Sequence, residues 1–220
     1  MVAYALLLRH AQSVWNAEGR WQGQADPPLS ELGFAQANSV ARHLSGWPGF
    51  DLVASSDLRR ARETARILAE GSGYRGHLFV ESSLREYDVG EWSGLSRSEI
   101  GERWPAEFDL YLSGNLLSPP GGEDRLAFDR RVLAAAERLS SLAVAEKAER
   151  VLVVAHGGVI RSLARSHGAS DYRATPLAGY HAEVVERTIV PTVPVDLLDP
   201  DGANPPAWGV DTEDGDPVAL

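Results

Sequence analysis

The stretch that decides the fold is Val2-Ala3-Tyr4-Ala5-Leu6-Leu7-Leu8-Arg9-His10. Its continuous apolar run, with no polar alternation, describes a short strand buried on both faces, closed by the charge of Arg9-His10. Such a strand belongs to a parallel sheet covered by helices on either side. Arg9 and His10 then stand at its carboxyl end, where ligands bind in open α/β sheets. The stretch Val151-Leu152-Val153-Val154-Ala155 repeats the pattern, and His156-Gly157-Gly158 follows it directly. Two strand-end histidines can share one pocket, and that pocket would be a site for chemistry.

Outward from these two strands, apolar runs alternate with helical periodicity. Ser30 reads as the cap of a helix over 31–44. Residues 50–54 form a second strand, 58–70 a helix stopped by Gly71, and 76–81 a third strand. The longest helical pattern covers 123–145, and a short helix starts from Val159. Residues 183–195 read as one strand, which Pro191 and Pro194 place at an edge or end. The expected architecture is a three-layer α/β/α sandwich with a mostly parallel central sheet, one domain over 1–195. Residues 196–220 form an acidic tail rich in Asp, Gly and Pro, expected to be ordered only in part. No internal repeat or dividing linker is present.

Composition narrows the function classes. The chain has 220 residues and no cysteine, which excludes a disulfide framework, a thiolate nucleophile and a cysteine-ligated metal. The net charge of −10 is uneven: residues 188–220 carry seven acids and no Lys or Arg, leaving 24 acids and 21 bases in residues 1–187. A body near neutrality has no electrostatic footprint for nucleic acid or an anionic membrane. Neither a membrane-length apolar run nor a signal-peptide pattern is visible, so the expected location is cytoplasmic. Asp, Glu and His do not group at metal-ligand spacing, and neither a metal nor a cofactor is expected.

Four motifs fall at strand ends. They are Leu8-Arg9-His10-Ala11-Gln12-Ser13-Val14-Trp15-Asn16, running on to Gln22-Gly23; Ser55-Ser56-Asp57-Leu58-Arg59-Arg60-Ala61; Leu84-Arg85-Glu86, with Gly90-Glu91-Trp92-Ser93-Gly94 following; and Ala155-His156-Gly157-Gly158. Guanidiniums bind phosphate oxygens bidentately, and glycine loops or helix N-termini present N–H groups to anions. A neutral histidine can attack phosphorus, and a carboxylic acid can protonate the departing alkoxide. Arginines and a second histidine can carry the transition-state charge without a metal.

This constellation resembles the histidine phosphatase superfamily, which includes cofactor-dependent phosphoglycerate mutase. The resemblance covers roughly residues 3–187, with the motifs in the family's order. It implies that His10 is the phosphorylated nucleophile and Glu86 the proton donor. Arg9, Arg60 and His156 would hold the phosphoryl group, while Asn16, Gln22, Gly23 and the Gly157 amide line the substrate or phosphate side. Ala11-Gln12 departs from the family's commoner Gly-Glu, at positions without a role in the chemistry.

Competing residues receive blander readings. His43, His77, His167 and His181 read as structural or surface groups, Arg59 and Arg62 as a solvated helix face, and Trp92 and Trp104 as packing. Asp88 and Glu91 compete with Glu86, which alone fits the spacing. Mutases similar to this chain carry a longer insertion after the acid glutamate, with an adjacent arginine pair. Here 96–122 is compact, and its only basic residues are Arg97 and Arg103; Arg97 lies near the place where mutases keep a lysine. The expected activity is therefore a phosphomonoester phosphatase acting on a small phosphorylated metabolite. A mutase is the alternative, and a non-catalytic phosphate-binding module the third reading. The leaving group stays open, as does the oligomeric state, with room for a homodimer.

Overall fold

Ala5, Leu6, Leu7 and Leu8 have no exposed surface, because the strand they form, β1 (Ala3–Arg9), lies inside the sheet. Ala5 and Leu7 point into one core, Leu6 and Leu8 into the other. Burying each of the leucine side chains stabilises the fold by roughly 1.5–3 kcal/mol. The computed structural model describes residues 3–168, 174–185 and 187–199. β1 pairs in parallel with β4 (Arg150–Ala155), which pairs in parallel with β2 (Leu52–Ser55), and β2 with the short β3 (Leu78–Val80). On its other side β1 pairs antiparallel with β5 (Ala178–Val185), and β5 with β6 (Thr188–Asp196). The order is β3-β2-β4-β1-β5-β6, a mixed six-stranded sheet.

Helices cover both faces. α2 (Glu31–Leu44) and α3 (Arg59–Gly71) pack on the core shared by Leu6 and Leu8. α6 (Arg125–Ala145) and α7 (Gly157–Ser166) pack on the Ala5 and Leu7 side. Ser30 caps α2 by accepting from the Gly33 amide, and Asp124 caps α6 through the Ala127 amide. The one-turn α1 (Val14–Ala17), α4 (Arg97–Arg103) and α5 (Pro105–Leu112) lie in the segments after β1 and after Glu86. With Trp92 and Val89, Ile100 of α4 and Phe108 of α5 build a third, aromatic cluster. There the Trp21 ring meets Trp92 edge-on at 5.6 Å and Tyr111 at 4.9 Å. This cluster forms a cap beside the strand ends.

Three sequence readings need correction. The strand read over 183–195 is a hairpin, the end of β5 followed by β6, with Pro191 and Pro194 on the outer strand. The helix read from Val159 begins at Gly157. The domain does not stop at 195: Asp196 pairs with Ala178 and Leu197 is buried. The rest of the acidic tail, from residue 200, lies outside the described residues.

Candidate active site

β1, β4 and β2 are adjacent and parallel, so their carboxyl ends lie side by side. The His10 amide donates to the Ala155 carbonyl at 3.0 Å, and the Ser56 amide to the Val154 carbonyl at 3.1 Å. His10 and His156 are thereby brought face to edge, their ring centroids 5.2 Å apart. Both are buried.

The His10 ring is oriented by its own backbone. Nδ1 lies 2.6 Å from the Ala11 carbonyl, a contact that assigns the proton to Nδ1 and leaves Nε2 with its lone pair. The Ala11 amide is in turn held by the Thr64 hydroxyl at 3.1 Å, and that hydroxyl donates to the Arg60 carbonyl. Burial holds His10 well below the ordinary histidine value of 6.5, and the charges of Arg60 and then Arg9 push it further down. His156 is depressed for the same first reason, burial, followed by Arg60, His10 and Arg9. Both imidazoles are therefore neutral at pH 7. Neither nitrogen of His156 has a hydrogen-bond partner. A fully buried polar ring is left unsatisfied only at a cost, which a ligand oxygen would remove.

Arg60 has no exposed surface. Its Nε donates to His10 Nε2 at 3.2 Å, and its terminal nitrogens to the carbonyls of Ala25 (2.7 Å) and Gly23 (2.9 Å). Burial lowers it to about 10, so it stays charged at neutral pH. Three of its five N–H donors are thus spent, and two remain for an anion. α3 has no side-chain cap of its own; instead the Arg59 amide donates to Asp26, which ties the 22–26 loop to Arg60. Gly23 belongs to this clasp. Its φ is +50°, and a Cβ there would meet Val89 Cγ2 at 2.7 Å.

Glu86 approaches from the cap side. Its Oε1 accepts from the Tyr87 amide at 2.8 Å and its Oε2 from the Gly158 amide at 3.1 Å. Gly158 is required there, because a Cβ would stand 2.1 Å from Glu86 Oε1. Arg131 fixes the loop behind it. All five of its N–H donors are used: two on Glu123, the others on the carbonyls of Ser83, Arg85 and Glu86, at 2.7–2.9 Å.

The structure thus brings Arg9, His10, Arg60, Glu86, His156 and the Gly157 amide to one place. Arg9 reaches across to the Ala174 carbonyl at 2.9 Å, and its side chain runs beside Gly157. Gly157 opens α7, whose first amides and dipole favour an anion. Asn16 and Gln22 are both tied to Ser13: Asn16 completes a reciprocal cap with it, and Gln22 accepts from its hydroxyl. Asp88 accepts from the Gly90 amide and Glu91 is exposed, so neither competes with Glu86. His181 sits in mid-sheet opposite Leu6 and stacks on Trp47, away from the site.

The sequence reading missed Arg131, Thr64 and a pocket of about 490 Å³ alongside Glu86, lined by Tyr87, Phe128, Gly158 and arginines from three helices. The signal for the last was the Gly158, Arg161, Arg165 spacing on one helical face. Among the described residues no group of three or more His, Asp or Glu is placed to hold a metal ion, and no helix is long and apolar enough to cross a membrane.

The profile of the histidine phosphatase superfamily (branch 1) matches residues 5–186. A metal-independent phosphoserine phosphatase of Arabidopsis thaliana is 36% identical over 163 residues, 74% of this chain and 67% of that protein. A 2,3-bisphosphoglycerate-dependent phosphoglycerate mutase of Parvibaculum lavamentivorans is also 36% identical, over 72% of this chain and 76% of its own. Among solved structures, a mycobacterial glucosyl-3-phosphoglycerate phosphatase superposes with a TM-score of 0.71 at 29% identity, covering 88% of this chain and 97% of that one.

Proposed function

Because the chain belongs to the histidine phosphatase superfamily (branch 1), we propose that it is a metal-independent phosphomonoester hydrolase working through a phosphohistidine on His10. The observation that carries this is the His10 ring. It is neutral, with Nδ1 tied to the Ala11 carbonyl and Nε2 turned to Arg60 opposite an unsatisfied His156. The phosphoryl group binds among Arg9, Arg60, His156 and the Gly157 amide. As the phosphoryl oxygens take over the Arg60 Nε–H, His10 Nε2 is freed to attack phosphorus, the bond to the ester oxygen breaks, and protonated Glu86 gives its proton to the departing oxygen. The positive charge that develops on the ring is stabilised through Nδ1–H by the Ala11 carbonyl. In the second half a water gives its proton to the Glu86 carboxylate while its oxygen attacks phosphorus. The P–N bond breaks, its electron pair returns to His10, and phosphate leaves.

Metal independence is supported by the arginines around the phosphoryl site, which supply the positive charge a metal would bring, and by the name of the plant relative. The reading is tested by phosphate release from a panel of phosphomonoesters in chelator, wild type against His10→Ala. Release that vanishes in the variant supports the proposal; no release from any ester contradicts it. The arginine-lined pocket favours a second reading, phosphoryl transfer between two hydroxyls of a charged substrate, as in the mutase relatives. Interconversion of 3- and 2-phosphoglycerate that depends on added 2,3-bisphosphoglycerate, faster than phosphate release, would establish it instead.

A further inference from the structure

His10, Ala11 and Gln12 follow β1 and belong to no helix or strand, so no ladder fixes their peptide planes. Each amide is held from a different element instead. The His10 amide donates to the Ala155 carbonyl at 3.0 Å, the Ala11 amide to the Thr64 hydroxyl at 3.1 Å, and the Gln12 amide to Gln36 Oε1 at 3.1 Å. Two of these three holds are side chains, Thr64 on α3 and Gln36 on α2. α2 also grips the far side of Gln12, where the Ser30 amide donates to the Gln12 carbonyl at 3.0 Å. The helix comes this close because residue 33 is glycine: a Cβ there would stand 1.9 Å from the Gln12 carbonyl oxygen. Gln36 lies one turn on from Gly33, on the same face, and is half-buried while Phe34 and Ala35 beside it are exposed.

The Ala11 carbonyl and the Gln12 amide are the two ends of one planar trans peptide and point in opposite directions. Holding the amide on Gln36 therefore aims the carbonyl at His10 Nδ1, 2.6 Å away. That aim matters most during the reaction. In the resting site two contacts fix the His10 tautomer, Arg60 Nε–H on Nε2 and Nδ1–H on the Ala11 carbonyl. Once phosphoryl oxygens take the Arg60 donor, the carbonyl alone keeps the proton on Nδ1 and the lone pair on the attacking nitrogen. Burial, Arg60 and Arg9 all disfavour charge on this ring, and the Ala11 carbonyl is the group that favours it.

We propose that Gln36 is a positioning residue for the attack on phosphorus, with Thr64 as its counterpart on the other side of Ala11. By holding the Gln12 and Ala11 amides, the two side chains set the peptide plane whose carbonyl keeps His10 in the attacking tautomer and orientation. The proposal rests on the phosphohistidine reading above, since it needs His10 Nε2 to be the nucleophile. Both residues act through the backbone of Ala11, from helices on the face of the sheet opposite α6 and α7.

The test separates attack from binding. Single-turnover mixing with p-nitrophenyl phosphate, enzyme in excess, reads attack alone, because this leaving group needs no proton from Glu86. Gln36→Met keeps the length of the side chain and removes the acceptor; Gln36→Glu restores an acceptor. The single-turnover rate should fall about tenfold in Gln36→Met, the worth of one hydrogen bond in the transition state. It should return to within about twofold of wild type in Gln36→Glu, and calorimetric affinity for inorganic phosphate should stay within about twofold in both. In protein carrying isotope-labelled histidine, the His10 Nδ1 proton should give a downfield, exchange-protected resonance, identified by its absence from His10→Gln. Gln36→Met should move it upfield or broaden it, and Gln36→Glu should keep it. Thr64→Val and Thr64→Ser repeat the comparison at the Ala11 amide, with loss in the first and rescue in the second. A wild-type rate in Gln36→Met overturns the proposal, as does a slowed rate with the Nδ1 resonance unchanged or with no rescue by Gln36→Glu. Failure of the hydrolase reading would look different: wild type would release no nitrophenolate, while the Nδ1 resonance still responded to Gln36→Met.

Discussion

Replacing Gly158 by alanine places a methyl group against the proposed acid and little else. The new Cβ would stand 2.1 Å from Glu86 Oε1, 3.1 Å from its Cδ and 3.3 Å from Phe128 Cζ. Ordinary contact begins near ~3.5 Å, so the carboxyl group must retreat by about 1.4 Å, loosening its bond to the Gly158 amide. A misplacement of ~1 Å costs about a hundredfold in rate, within the ~10²–10⁴ that general acid catalysis contributes. The expected outcome is a fall of about a hundredfold in kcat/KM for an alkyl phosphate, whose leaving group needs the proton. For p-nitrophenyl phosphate, whose leaving group does not, kcat/KM should fall less than about threefold. Slower attack of water on the phosphohistidine should meanwhile expose a burst of nitrophenolate. Stability should hold, because the Glu86 side chain can move and alanine is the better helix former by up to about 1 kcal/mol. Equal losses on both esters, or no loss on either, would refute the assignment of Glu86 and the reason given for the glycine.

Two further outcomes follow from the same geometry. Arg131→Met leaves the Glu123 carboxylate and three loop carbonyls without their donor. With Arg131 and Glu123 about one-fifth exposed, the loss should be about 2–3 kcal/mol in urea unfolding, less than the ~3–5 kcal/mol of a fully buried pair because water screens part of the charge. The alkyl ester should lose more activity than the nitrophenyl ester; an unchanged melt with unchanged discrimination would remove Arg131 from its positioning role. Stability should also depend on pH through His10 and His156. Both are depressed below 6.5 when folded, so the unfolded chain binds more protons in the window beneath 6.5. Stability from this source is full above pH 6.5 and falls as the pH drops towards the folded values, by up to about 1.4 kcal/mol per pH unit for each ring. His10→Gln should remove about half of that slope, as read from denaturant midpoints; a slope unchanged by the variant would mean that His10 is not held neutral.

The readable parts of the sequence were those where one local rule acts alone. The run ending at Arg9-His10 had no reading but a buried strand, and Ser30 capped the helix where its side chain could reach the Gly33 amide. The hairpin within 183–195 was missed because Glu186-Arg187, between the two strands, carries no turn chemistry. The first turn of α7 was missed because two glycines argue against a helix. Their reason is tertiary, since a side chain at Gly158 would collide with a residue 72 positions away. The candidate site was legible as motifs, but its supports were not. Arg131 acts through backbone carbonyls, which leave no mark in sequence. The pocket arginines come from α4, α6 and α7, and only the folded sheet brings those helices to one rim.

The central claim is that phosphoryl transfer passes through His10, and trapping the intermediate tests it most directly. Wild-type protein mixed with radiolabelled p-nitrophenyl phosphate is quenched in alkali during turnover and digested, and the labelled peptide is sequenced. The account predicts one acid-labile, alkali-stable phosphoryl group on His10, more abundant in Gly158→Ala and absent from His10→Gln. Label on any other residue, or turnover with no phosphoprotein at any quench time, would contradict it.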